Sequence, residues 1–292
     1  MNEAAGDKTM LAKRAKFSEA VHTWISSLLA PCADPGCATR QPNWTPLRGS
    51  GRRVMLERRW YCAGECLEGA LAKLLRTLKT SLPAHEAARH RMPLGLLLVS
   101  RGDLDFDQLR RALHAQNQAA RGRLGDWLQE LGFVTEDKIL AALSIQWACP
   151  MLKMTSGSHV SYAGLIPHTL QEAYSVLPLH LAVQSRLLYV GFADRIAHRL
   201  LYAVDRMLSC RTIPCLLSRS AFKEAIQKLP ARQGARETSF ESVTEPAEMA
   251  RIITGYARRC SSDELRVNSS GEYIWARLLR RHGEFNLLFR TA

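Results

Sequence analysis

The sequence predicts an α+β protein built from several small parts, and three observations lead there. Between Pro93 and Gln146 one helical pattern occurs twice, at an offset of 30 positions. Beyond Pro150 the texture changes to short β-prone runs alternating with helix-like stretches, as expected for a small sheet with helices beside it. Residues 31–66 are dominated by Pro, Gly, Arg and four Cys, with only short β-prone pieces. The length, 292 residues, allows one to three domains and a sizeable core. Four parts are read. Residues 1–91 are a leading helix and a four-cysteine module. Residues 92–230 are a tandem-motif domain, helical to 150 and mixed α/β after it. Residues 231–245 are a linker, and 246–292 a closing helix and β-hairpin tail.

Each element has a local reason. Leu11, Ala15, Phe17, Val21, Trp24, Ile25, Leu28 and Leu29 fall largely on one helical face, so 10–30 reads as a helix that Pro31 ends. Arg53 to Leu56 and Arg59 to Tyr61 are strand-like, and a helix follows from about Leu67 to Leu78. A connector with Pro83 leads to the tandem at Pro93. There Leu94, Gly95, Leu98, Gly102, Leu109, Ala112, Leu113 and Gln116 recur as Leu124, Gly125, Leu128, Gly132, Ile139, Ala142, Leu143 and Gln146. A fixed period marks a repeated supersecondary unit, here helix, Gly turn, helix. Gly102 and Gly132 suit the left-handed position that ends a helix. Asp105 with Gln108 matches a capping box. Thr135 suits an N-cap, with Glu136 and Asp137 at the positive end of the helix dipole.

Further on, Ser175 to Ala182 and Arg186 to Ala193 read as strands joined by a polar turn at Gln184 and Ser185. Residues 195–208 are helix-like, and Thr212 to Leu217 a third strand that Pro214 confines to an edge. Phe222 to Leu229 closes as a helix. The polar stretch 231–245 reads as a linker. Pro246 to Cys260 is helical, Glu264 to Val267 and Tyr273 to Leu278 flank a hairpin turn, and Glu284 to Arg290 adds a strand. A tail this short is expected to pack on something else or to pair with another chain.

Composition narrows the class of function. With 47% hydrophobic and 23% charged residues the chain is not disordered at large. Its formal net charge of +13 suits an anionic partner: nucleic acid, nucleotide or acidic protein. Met1 to Phe17 lacks an apolar core followed by a small-residue cleavage site, and the aliphatic run around Leu96 is too short for a bilayer. A soluble, cytoplasmic protein without membrane insertion is expected.

Eight Cys in a reducing compartment point to metal binding or burial rather than disulfides. Cys32-x4-Cys37 and Cys62-x3-Cys66 deliver thiolates two at a time, Cys62 ending a strand-like piece and Cys66 opening a helix. Four converging thiolates make a tetrahedral Zn2+ site with no open position, so the metal is expected to be structural. The stretch resembles small treble-clef or ribbon-like zinc modules. Between the two Cys pairs, Arg40, Arg48, Arg52, Arg53, Arg58 and Arg59 stand against a single acid, Glu57, which leaves nucleic-acid binding open as a second use. Cys149, Cys210, Cys215 and Cys260 show no pairing pattern and read as core thiols.

The pattern Arg123-Leu-Gly-x-x-Leu-x3-Gly-x-Val-x4-Ile-x3-Leu-x-x-Gln146, with its preceding copy, resembles the MshEN-type domain. That domain fronts the assembly ATPases of type II secretion and type IV pili. The resemblance continues through Ile166-Pro167, Tyr174 to Leu179 and Leu188 to Asp194, to about Leu229. It implies that the paired motifs bind cyclic di-GMP, through Leu94, Gly95, Leu98, Leu109, Leu113 and Gln116 of the first copy. The second copy contributes Arg123, Leu124, Gly125, Leu128, Ile139, Leu143 and Gln146. Pro93 stands where the family pattern has Arg, with Arg91 close by. The chemistry is compatible: an Arg fork bonds a guanine edge or phosphate bidentately, Gly lets a ligand approach the backbone, and Gln both donates and accepts.

No GxxxxGK[ST] phosphate loop occurs, and the nine His show no HExxH spacing. No enzymatic activity is expected. The sequence thus reads as a bacterial regulatory adaptor that senses cyclic di-GMP or docks to secretion or pilus machinery or another effector. The alternatives are a nucleic-acid-binding zinc-module protein and a ligand-free interaction scaffold.

Overall fold

The computed structural model describes residues 31–37, 53–62, 64–80, 91–152, 160–228, 236–281 and 283–291. The expected helix at 10–30 lies outside them, as do Arg40, Arg48 and Arg52. The fold is α+β, in two compact units.

A hairpin opens the described chain. β1 (Arg53–Leu56) pairs antiparallel with β2 (Arg59–Cys62), Arg53 opposite Cys62 and Leu56 opposite Arg59. Glu57 and Arg58 turn the chain at φ 47° and 63°, the doubly left-handed turn whose twist matches that of paired strands. α1 (Glu65–Thr80) follows, with Leu67, Leu71 and Leu75 buried in one stripe at four-residue spacing.

The tandem is four helices: α2 (Leu94–Ser100), α3 (Phe106–Ala119), α4 (Leu124–Glu130) and α5 (Glu136–Trp147). Gly102 and Gly132 follow the short helices at φ 73° and 69°, as their spacing predicted. The Asp105–Gln108 capping box is formed: the Gln108 N–H donates to Asp105 Oδ1 at 2.7 Å, and the Asp105 N–H to Gln108 Oε1 at 3.1 Å. The packing is exchanged between copies, α2 against α5 and α3 against α4. Equivalent residues are buried in pairs: Leu98 with Leu128, Leu104 with Val134, Leu109 with Ile139, Ala112 with Ala142.

A short 3-10 turn (Val160–Leu165) and α6 (His168–Ala173) lead into a three-stranded sheet ordered β3-β4-β5. β3 (Val176–Ala182) and β4 (Leu187–Phe192) are antiparallel, while β5 (Arg211–Leu216) runs parallel to β4. A parallel neighbour needs a crossover, supplied by α7 (His198–Leu208). β5 is an edge strand, as Pro214 required. α8 (Arg219–Lys228) follows, its first turn capped by Ser218 Oγ, which accepts from the Ala221 N–H at 3.2 Å.

The stretch expected to be a linker holds a strand, β6 (Arg236–Phe240). Distant partners order it. The Glu237 carboxylate accepts from the N–H groups of His168 and Thr169 at 2.7 and 3.2 Å and from the Thr169 hydroxyl at 2.8 Å. Polar composition carries no trace of bonds made to residues so far away. α9 (Pro246–Arg259), β7 (Glu264–Ser269), β8 (Tyr273–Arg280) and β9 (Gly283–Arg290) complete the chain.

The tail does pack on another part of the chain. β7 aligns parallel to β1, Met55 opposite Glu264 and Leu56 opposite Leu265, in a sheet ordered β2-β1-β7-β8-β9-β6. Alternate residues Leu265, Val267, Ile274, Ala276, Leu278, Leu287 and Phe289 share one core with the stripes of α1 and α9. One unit therefore holds the described residues through 80, Phe240–Val267 and those from Ile274 onward; the other holds those from 91 to Ser239, with Asn268–Tyr273.

The two motif glycines differ in their surroundings. A Cβ on Gly95 would lie 2.5 Å from Leu109 Cδ1 and 3.2 Å from Leu124 Cδ2, whereas on Gly125 its nearest neighbour is Ile139 Cγ2 at 3.5 Å. Gly95→Ala is expected to lower the unfolding free energy by about 1–3 kcal/mol through overpacking. Gly125→Ala should be neutral or stabilising by up to about 1 kcal/mol, because alanine suits a helix better. Urea unfolding of the two variants side by side checks this.

Candidate functional site

A cleft of ≈ 420 Å³ opens beside the second motif copy. One wall is Arg123, Gly125, Ile139, Leu143 and Gln146, joined by Leu94 of the first copy. The facing wall is Ala193, Asp194 and Arg195, which follow β4, and Leu217, Ser218 and Arg219, which follow β5. The carboxyl ends of parallel strands are where open α/β sheets take ligands. Gly191 lets this wall close up: a Cβ there would meet Leu217 Cδ1 at 2.5 Å and Leu179 Cδ1 at 2.9 Å.

Charges in the cleft are largely paired. Asp194 Oδ1 accepts from Arg123 Nη1 at 2.5 Å and from Arg219 Nη2 at 2.7 Å. Arg219 Nη1 also pairs with Asp126 Oδ1, and Asp126 Oδ2 accepts the Arg123 N–H at 3.2 Å. Glu136 accepts from the Ser220 N–H at 3.1 Å and its hydroxyl at 2.6 Å, at the start of α8. Thr135 is the N-cap residue of α5 but makes no side-chain cap bond. Arg195 lines the cleft and has no ion pair among the described residues.

The remaining motif residues do other work. Leu98, Leu109, Leu128 and Gly95 are buried, and Leu124 packs against the same core. Leu113 is exposed and does not line the cleft. The two glutamines act on backbone. The Gln116 Nε2–H donates to Gly122 O at 3.0 Å, and the Gln146 Nε2–H to Met92 O at 2.7 Å. Each copy thus ends by closing on the backbone two residues ahead of the other copy's Leu-Gly pair. Asp126, Glu136, Trp147, Arg195 and Arg219 escaped the motif reading. Arg195 is the one with a local signal, since it follows the strand-like run ending at Asp194.

The cysteines form a separate centre. The Sγ atoms of Cys32, Cys37, Cys62 and Cys66 all lie within 4.8 Å of one another. Cys37 and Cys62 Sγ are 3.8 Å apart, and a tetrahedron with Zn–S bonds of about 2.3 Å has an S–S edge of about 3.8 Å. Cys62 ends β2 and Cys66 lies in the first turn of α1. The Ala33 N–H donates to Trp60 O at 2.8 Å, which ties the first loop to the hairpin. Burial pushes the Cys66 thiol up, assisted by Asp34 and by Cys37 and Cys32. Crowded thiols resist ionising together unless a cation joins them. Cys149 and Cys215 are buried and pushed up to about 11, mainly by burial, so both are neutral core thiols. Cys210 and Cys260 are part-exposed.

No protein-family model and no curated protein matches the chain. Solved structures do. The structure of MshE with cdg is 24% identical, covering 48% of this chain and 100% of that one at a TM-score of 0.41. The N-terminal domain of XpsE matches in one crystal form at 16% identity, 47% and 92% coverage and a TM-score of 0.34. A second crystal form matches at 18%, 46% and 91%, and 0.28. The chain is similar to these proteins. Among the described residues no helix is long and apolar enough to cross a membrane.

Gln116→Leu and Gln146→Leu are each expected to lower the unfolding free energy by about 0.5–1.5 kcal/mol, the net worth of one hydrogen bond. Chemical unfolding should return similar losses for both, although Gln146 alone of the two lines the cleft.

Proposed function

We propose that this chain is a non-catalytic regulatory protein that binds cyclic di-GMP in the cleft beside Arg123. The observation that carries the reading is the convergence on one cleft of Arg123, Gly125, Ile139, Leu143 and Gln146, the copy that keeps Arg at its head. Leu94, Ile139 and Leu143 offer an apolar bed for base and ribose. The cleft lies within the usual size range of ligand pockets, about 300–1,000 Å³. Arg195 is free to meet a phosphate, and the start of α8 borders the same space with its positive dipole end. An entering anion exchanges places with Asp194 on Arg123, and Asp194 keeps Arg219. The solved structure of MshE with cdg accords with the choice of ligand. The motif's resemblance to domains that front secretion and pilus ATPases supports a protein partner in that machinery.

Calorimetric titration of the full chain with cyclic di-GMP tests the reading. Wild type should bind, and Arg123→Ala should bind about tenfold more weakly or worse, the weight of a charged hydrogen bond. Arg219 still pairs with Asp194 in that variant, so it should remain folded. No heat from wild type removes the proposal.

The four cysteines we propose as a structural Zn2+ site, supported by the clustering of their Sγ atoms. Freshly purified protein should carry about one zinc per chain, and chelation should lower its melting temperature. Protein that is folded, active in binding and free of zinc would exclude the site.

A further inference from the structure

Trp147 ends α5, lines the cleft and is half-buried. Its indole N–H has no hydrogen-bond partner among the described residues, unlike that of Trp127, which donates to Arg121 O at 3.0 Å. The Arg91 guanidinium covers its ring, with Cζ 3.6 Å from the ring centroid. Arg91 has no ion pair among the described residues. The His198 ring lies beyond, 6.4 Å from the indole centroid and tilted by 42°. An indole facing a cleft, with a spare donor and an unpaired cation on its ring, is the chemistry that holds a nucleobase next to a phosphate.

The placement of Arg91 has a cause. Gln146, adjacent to Trp147, holds Met92 O at 2.7 Å, which fixes the backbone between Arg91 and Pro93 against the end of α5. The guanidinium that the first copy lacks at Pro93 is thus present two residues earlier, stacked on a residue that lines the second copy's cleft. We infer that Trp147 is the stacking surface for a purine base of the bound nucleotide, and that Arg91, sharing this ring, replaces the cation missing at Pro93. A guanidinium plane stacks on a base as it does on indole, so Arg91 can pass from Trp147 to the base and keep a stacking partner. This inference rests on the cyclic di-GMP reading.

The test uses the full chain with cyclic di-GMP, followed by calorimetry and tryptophan emission. Wild-type emission should change on binding. Trp147→Phe keeps a stacking ring, so its affinity should stay within about threefold while the emission change disappears. Trp147→Ala should weaken binding about tenfold, and Arg91→Gln about fivefold, with melting temperatures near that of wild type. Unchanged affinity in Trp147→Ala, or an emission change that persists in Trp147→Phe, overturns the stacking role and leaves the ligand standing. Equal losses in the Phe and Ala variants overturn it too, since only one of them lacks a ring. No heat from wild type overturns the ligand reading itself.

Discussion

The close approach of α2 and α4 at Gly95 is the constraint on which the binding half of this chain depends. Bare backbone at Gly95 lets Leu109 and Leu124 close onto it, while Leu94 lies in ordinary contact distance of Gly125. Close approach then lets each short helix pack on the other copy's long helix. Neither copy is a self-contained helical hairpin: each lends its first helix to its neighbour, and Gln116 and Gln146 fasten the exchange at both ends. The cleft inherits this arrangement. Leu94 stands beside Ile139 and Leu143 in one wall because the copies are interleaved.

Interleaving makes the copies equivalent in packing, and their polar residues make them unequal in role. Thirty positions before Asp126 and Glu136 stand Leu96 and Phe106. The acids engage Arg219 and Ser220 at the start of α8, while Leu96 and Phe106 are 47% and 69% exposed. The charged network of Arg123, Asp194, Arg219 and Asp126 is possible on one side of the repeat alone. Pro93 is therefore part of a wider divergence that concentrates polar chemistry on the second copy.

Much of the fold was legible because its signals are local. The repeat, the Asp105 capping box, the left-handed glycines, the β3–β4 pair and the edge position of β5 each follow from a few neighbouring residues. The cysteine spacing likewise announced a strand end and a helix start, and the four thiols do meet. What was hidden depends on distant partners. Glu237 orders β6 through residues of α6, Glu136 turns from its own helix to Ser220, and Asp194 gathers two arginines. Within the motif, the sequence could not separate Leu128, a core residue, from Leu143, which faces the cleft. Both are leucines at helical spacing, and only the packing of the facing wall tells them apart.

The parallel pairing of β1 with β7 sets an order of events during synthesis. Met55 acquires its neighbour only when Asp263 and Glu264 have left the ribosome, since the Met55 N–H donates to Asp263 O. Chains emerge at about 5–20 residues per second, so the β1–β2 hairpin waits on the order of ten seconds or more with an open edge. The four thiols of Cys32, Cys37, Cys62 and Cys66 are local to one another and to this hairpin, and need nothing later in the chain. The long segment between them and β7 contains a unit with its own core, free to fold in that interval. The cysteine cluster, with the Ala33–Trp60 hydrogen bond, is thus a tie on the early hairpin that needs no residue from β7 onward.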